Sequence, residues 1–256
     1  MYRPASLVAC CALALSAFSA AADCRGDALT ALIGASIIPV EGDPIDKGVL
    51  LVRDDAIVAV GGGDQVAIPD DAQRIDMTGR VIMPGLICTH SHVSGMGGAD
   101  MSGPIQPGVR ILDAIDVRNA GFRRAVAGGL TTLNIMPGSG HLSSGQTIYV
   151  KLRFAGQGPR RVEDLFIRDS HDAPLGGLKM ANGTNSMRGE TPFPGTRGKS
   201  AFLVRQEFIR AREYDAKIQA AGDDPEKLPP RDLHLESLVE AMKGKRIVHH
   251  HTHRHD

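Results

Sequence analysis

VIMPGLICTHSH, residues 81 to 92, decides how the rest of the chain is read. Pro84-Gly85 breaks the backbone, an apolar run follows from Leu86 to Cys88, and the run ends in His90-Ser91-His92. A short apolar run that begins at turn residues predicts a buried strand. Side chains alternate along a strand, so His90 and His92 lie on one face and can close on a single metal ion. That spacing is a modest signal until the flanking sequence is added to it.

On the N-terminal side, residues 28 to 82 carry short β-type runs separated by turn residues: LTALIGASIIPV, GVLLVRDDAIVAV and AQRIDMTGRVIMPG, with EGDP and GGGD between them. These predict a small β domain, with a hairpin at Asp54-Asp55. The triplet Gly61 to Gly63 lacks a following Gly-Lys-Ser/Thr and reads as a turn instead of a phosphate cradle. On the C-terminal side the rhythm changes. LICTHSHV, LTTLNIMPG, TIYVKLRF and GGLKMANG read as strands, and a histidine-rich strand comes last. Helical spacing runs through ILDAIDVRNAGFRRAVAGG, through 200 to 221 and through LHLESLVEAMKGK. This alternation predicts an α/β unit with a parallel sheet and crossover helices.

Lys plus Arg and Asp plus Glu both number 29 in 256 residues, so no net field favours nucleic acid or an anionic membrane. The N-terminus has Arg3 as its only charge, an apolar and small-residue run from Leu7 to Ala22, and an Ala20-Ala21-Ala22 exit. It reads as a secretory signal, shorter than the roughly 18 to 20 apolar residues of a bilayer span. The mature chain is then expected to begin near Asp23, without stable membrane insertion, in the periplasm or outside the cell. Cys10 and Cys11 leave with the signal, and Cys24 and Cys88 are too few for a disulfide framework.

Pro-Gly-Leu-Ile followed by His-x-His, directly after a small β domain, resembles the first barrel strand of the amidohydrolase superfamily of metal-dependent hydrolases. The resemblance runs from about Leu29 to Asp256 and is nearest to the imidazolonepropionase and prolidase-like branch. AGGLTTLNIMPGSGHLSSGQ resembles the second strand and its loop, GGLKMANGTNSMRG the fourth, and VHHHTHRHD the fifth. Cys88 stands where many members have Asp, at a position that is not a ligand. The resemblance implies a (β/α)8 TIM-type barrel with a small N-terminal β-sandwich domain beside it. The domains would be a signal at 1–22, the β domain at 23–82 and the barrel at 83–256. It also implies a metal site of His90, His92, Lys179 and His251. That site would hold one or two divalent ions, zinc first with manganese or iron tolerated, and Lys179 would be carboxylated. A sixth-strand histidine and an eighth-strand aspartate would lie beyond Asp256. The chain thus reads as an incomplete barrel of about five of eight strands.

The ending RIVHHHTHRHD, 246 to 256, is interrupted by Thr252, Arg254 and Asp256, unlike a purification tag. IVHHHTHR fits the fifth strand of the resemblance with His251 as ligand. Periodicity puts His249, His251 and His253 on one face and His250 and Arg254 on the other, which leaves His253 as the alternative. The implied reaction is hydrolysis of a C-N bond in an amide, cyclic amide or peptide by a metal-activated water. Its substrate would be a small molecule or dipeptide, and self-association stays open. Without the sixth-strand histidine and the eighth-strand aspartate the chain by itself is expected to be inactive; the alternative is a catalytically inactive, metal-binding fragment of such an enzyme. No catalytic residue is assigned: His141, His171 and Asp172 could touch substrate from loops, and Ser139 and Ser144 lack the setting of an activated nucleophile.

Overall fold

A computed structural model describes residues 29–54, 56–94, 100–154, 158–159, 161–169 and 173–253. The signal segment, Cys24, Asp55, His171, Asp172, Arg254 and Asp256 lie outside the described residues. The chain divides into two compact units that meet in sequence at Pro84 and Gly85.

The first unit is built from β1 (Leu29–Ile37), β2 (Ile45–Arg53), β3 (Ala56–Gly62), β4 (Gln73–Asp76) and β5 (Val81–Ile82). β2 pairs antiparallel with both β1 and β3, while β4 and β5 run parallel to β1, in the order β3-β2-β1-β4 with β5 also on β1. The β2–β3 connection pairs Arg53 with Ala56, and Asp54 takes a φ of 54° in the tight turn. The resemblance implies a sandwich; the described residues form one five-stranded sheet with apolar clusters on both faces. Leu29, Ala31, Val49 and Leu51 belong to one cluster, and Ala35, Ile37 and Leu50 to the other. β1 serves both because its register slips between Ile33 and Ala35, at Gly34. Gly34 has a φ of 87°, and a Cβ there would meet Thr78 Oγ1 at 2.8 Å. Only glycine suits this bulge, which turns the following side chains to the opposite face.

The second unit comprises β6 (Leu86–Ser91), α1 (Ala120–Ala127), β7 (Leu130–Ile135), β8 (Ser143–Gln146), β9 (Ile148–Lys151), β10 (Leu178–Gly183), α2 (Thr184–Met187), α3 (Arg197–Ala221), α4 (Leu233–Met242) and β11 (Val248–His253). They form two three-stranded sheets, β6-β7-β9 and β11-β10-β8. The expected all-parallel arrangement holds for β6–β7 and β10–β11, whereas β9 lies antiparallel to β7 and β8 antiparallel to β10. Connection length explains the difference. α1 bridges the first parallel pair and α3 with α4 the second, but the chain from β7 to β9 carries no helix that could return it to the starting edge.

The single helix expected over 111 to 129 is a 3-10 turn at Ile111–Ala114 and then α1. Asp116 Oδ1 accepts from Arg118 N, and Asn119 Oδ1 caps Gly121 N, so local side-chain bonds displace the helix between them. Alternation then sorts the strands. Leu133, Ile135, Ile148 and Val150 pack with Phe122 of α1, and Leu178 and Met180 pack with Ala211, Tyr214 and Leu238 of α3 and α4. The intervening residues Asn134, Tyr149, Lys179 and Ala181 therefore share the face turned away from the helices. Among the described residues no helix is long and apolar enough to cross a membrane.

Candidate metal centre

β6 ends at Ser91, and His90 and His92 bring their Nε2 atoms to 3.3 Å from each other. The Nδ1 of His92 lies 2.8 Å from the carbonyl oxygen of Met136. A carbonyl only accepts, so Nδ1 carries the proton and Nε2 of His92 presents its lone pair toward His90. Such a backbone anchor is the usual way a metal-binding imidazole is oriented.

Lys179 enters from the middle of β10 and is 1% exposed. Its Nζ lies 3.5 Å from His90 Nε2 and 3.1 Å from Met136 Sδ, and among the described residues no carboxylate pairs with it. Burial holds its pKa below the ordinary lysine value. A buried ammonium without a counter-ion is costly. Burial, followed by the charge of Lys179, also pushes the pKa of His90 down. The same two causes act in the same order on His249 and His251.

β11 runs parallel to β10 with Lys179 opposite His249, Ala181 opposite His251 and Gly183 opposite His253. The three histidines differ in what they touch. His249 Nε2 accepts from Asn134 Nδ2 at 3.1 Å and lies 2.9 Å from the Tyr149 hydroxyl. Its ring covers Gly177, where a Cβ would meet His249 Cδ2 at 2.4 Å. His253 Nδ1 bonds Thr184 Oγ1. The ring of His251 stands 5.9 Å from that of His90, edge to face. A recess of about 460 Å³ is lined by Thr89, His90, Met136, Lys179 and His251, among others. A second recess of about 440 Å³ lies over Met180, Val204 and His250 on the other face of β10, and is mainly apolar.

Thus His90, His92 and Lys179 are in direct contact, with His251 facing His90. Among the described residues no three His, Cys, Asp or Glu side chains approach closely enough to hold an ion by themselves. A third donor beside the histidine pair is Lys179 Nζ, 3.5 Å from His90 Nε2. Oriented imidazole lone pairs and a buried amine without a counter-ion suit a divalent cation in donor chemistry, with the lysine as carbamate supplying oxygen. Sequence reasoning missed Met136, Asn134 and Tyr149. An asparagine inside the apolar strand LTTLNI was the available signal, since a polar residue buried in a strand needs a partner. Of the two serines set aside, Ser144 Oγ donates to Gly138 O and Ser139 Oγ accepts from Asn185.

No protein-family model matches the chain. The amidohydrolase tasK of Hapsidospora irregularis is 27% identical over 205 residues, covering 72% of this chain and 21% of that protein. The dihydroorotase of Syntrophotalea carbinolica is 27% identical over 186 residues, covering 70% and 39%. The crystal structure of an amidohydrolase from Thermotoga maritima MSB8 superposes with a TM-score of 0.78 at 29% identity, covering 89% of this chain and 59% of that one. In sequence and in fold the chain is similar to amidohydrolases. It spans between about a fifth and three fifths of the length of these amidohydrolase relatives.

Proposed function

We propose that the second unit is part of a (β/α)8 metal-dependent hydrolase that cleaves a C-N bond in an amide, cyclic amide or peptide. His90, His92, Lys179 and His251 would hold one or two divalent ions, with zinc the first expectation. The observation that carries this reading is the meeting of the two histidine Nε2 atoms and Lys179 Nζ at 3.3 and 3.5 Å, beside a recess lined by His90, Lys179 and His251. Relatives that act on C-N bonds, among them the dihydroorotase and an enamidase of Eubacterium barkeri, agree with it.

A cation bound there would lower the pKa of water and polarise a substrate carbonyl. The protein's own contribution is orientation and exclusion. Met136 fixes the tautomer of His92 through its carbonyl oxygen, and its thioether packs on Lys179. Asn134 and Tyr149 occupy His249, which leaves His251 to face His90. Burial favours the neutral amine of Lys179, the form that reacts with carbon dioxide. As a carbamate it would turn an uncompensated cation into an anionic ligand.

The test is hydrolysis of a panel of dipeptides, N-acyl amino acids and cyclic amides by the zinc-loaded enzyme that contains this chain together with the remaining barrel strands. Turnover of one class that disappears in His90→Ala is expected. Activity unchanged by that substitution would contradict the site. The same reading places the protein outside the cytoplasm, through removal of residues 1–22. The mass of the mature protein should correspond to a start near Asp23, and a retained Met1 would reject export.

A further inference from the structure

The loops that leave the C-terminal ends of β7 and β10 meet at Arg188. Asn185 Nδ2 donates to Ser139 Oγ at 3.1 Å, tying the two loops together. The guanidinium of Arg188 lies against Gly140, where a Cβ would come within 2.1 Å of Nη2. Its other neighbour is Phe193, whose ring centroid is 4.5 Å from Cζ. Arg188 Nε donates to the Asn185 carbonyl oxygen at 3.3 Å, and Nη1 reaches only Met101 Sδ at 3.8 Å. Among the described residues no carboxylate pairs with this guanidinium. The arginine backbone has a φ of 38°, a region that favours glycine, so the chain keeps the side chain here against local preference.

The surroundings do not neutralise that charge. His141, 2% exposed, packs 5.4 Å from the same Phe193 ring, with both ring nitrogens buried. Burial first and Arg188 second push its pKa down, so it is a neutral neighbour. Asp100, the acid that acts on His141, is taken up by Ser102 and Gln106. Unlike the arginines at 110, 210, 231 and 246, each in an ion pair with an acid, Arg188 is a half-buried fork without one.

A cationic fork flanked by a hydroxyl and an amide nitrogen matches a planar, two-oxygen anion. These loops follow the strands that carry Lys179 and the Met136 anchor, and in barrel enzymes loops at that end of the strands recognise substrate. We propose that Arg188, with Ser139 and Asn185 beside it, binds a carboxylate on the substrate. The hydrolysed compound is then an N-acyl amino acid or a dipeptide with a free C-terminus, not a neutral cyclic amide. This rests on the C-N hydrolase reading for its reaction but not for its binding.

The experiment is calorimetric titration of the metal-free, full chain with N-acetyl-L-leucine and with N-acetyl-L-leucinamide, which differ in the carboxylate alone. The acid should bind at least about tenfold more tightly than the amide, as expected for charge-assisted hydrogen bonds. Arg188→Gln should remove that preference while keeping the wild-type thermal transition, and Arg188→Lys should keep part of it. Ser139→Ala, a milder change, should reduce it by a smaller factor. Equal binding of the two probes, no binding of either, or a preference that survives Arg188→Gln would overturn the proposal. Hydrolysis of the two probes is measured separately, with the zinc-loaded enzyme that contains this chain together with the remaining barrel strands. Selective binding without turnover would retain the subsite and remove the C-N hydrolase reading.

Discussion

The two units treat polar side chains in opposite ways. In the first, the buried side chains among the described residues are apolar, from Leu29 and Ala31 on β1 to Val49, Leu50 and Leu51 on β2. In the second, Asn134, His141, Ser143, Ser144, Thr147 and Lys179 are all buried as well. Burying a polar group costs free energy unless it is bonded, and burying a charge costs more. A sheet that needs only stability has no reason to accept that cost, and the first unit does not. The second accepts it on one face of its strands, where Lys179 lies between Leu178 and Met180, which follow the apolar rule. Stability and chemistry are separated there by strand alternation alone.

The largest test of this contrast sets neighbours on β10 against each other. Leu178→Ala should destabilise the second unit by about 2 to 5 kcal/mol in chemical denaturation, because Leu178 is fully enclosed by α3 and α4. Lys179→Met should keep or raise the denaturation midpoint, since it removes an unpaired buried amine, yet lower metal affinity by more than about tenfold. Equal losses of stability would break the division between the two faces.

In the first unit the sensitive position is a backbone one. Gly34→Ala should cost about 1 to 2 kcal/mol, through its positive φ and the approach of Thr78, without altering metal content. A smaller effect is pH-dependent. His141 has a pKa lowered mainly by burial, so the unfolded chain takes up a proton near the ordinary value of 6.5 before the folded chain does. Its contribution is therefore complete above that value and is lost as the pH falls through it, with a slope of at most about 1.4 kcal/mol per pH unit. His141→Gln should flatten the acid limb of the stability profile relative to wild type. The smallest change expected is Asn119→Ala, which removes the cap of α1 and should cost about 0.5 to 1 kcal/mol in denaturation.

The strand pattern and the His90–His92 pair were legible because alternation and apolar runs are local properties of the sequence. The direction of β8 and β9 was not, since it depends on whether a connection is long enough to cross over, and TIYVKLRF reads the same in either direction. The split of the segment at 111 to 129 was hidden by helical spacing that continues through Asp116 and Asn119, whose side chains compete with the helix. The helix at 200 to 221 was legible in extent, but its helical spacing did not show that Phe202 and Ile209 are exposed. At the site, the sequence left His251 and His253 as alternatives. Their contacts, His253 with Thr184 and His251 with His90, come from residues far apart in the chain.

If His90, His92, Lys179 and His251 form one metal centre, single variants of the full chain should differ in metal stoichiometry according to whether they touch it. Zinc bound per chain, measured by elemental analysis after reconstitution, should fall sharply in His90→Ala, His92→Ala, Lys179→Met and His251→Ala. It should stay at the wild-type value in His250→Ala and His253→Ala, whose side chains lie on the other face of β11 or against Thr184. Wild-type zinc content in all four of the first group would contradict the account.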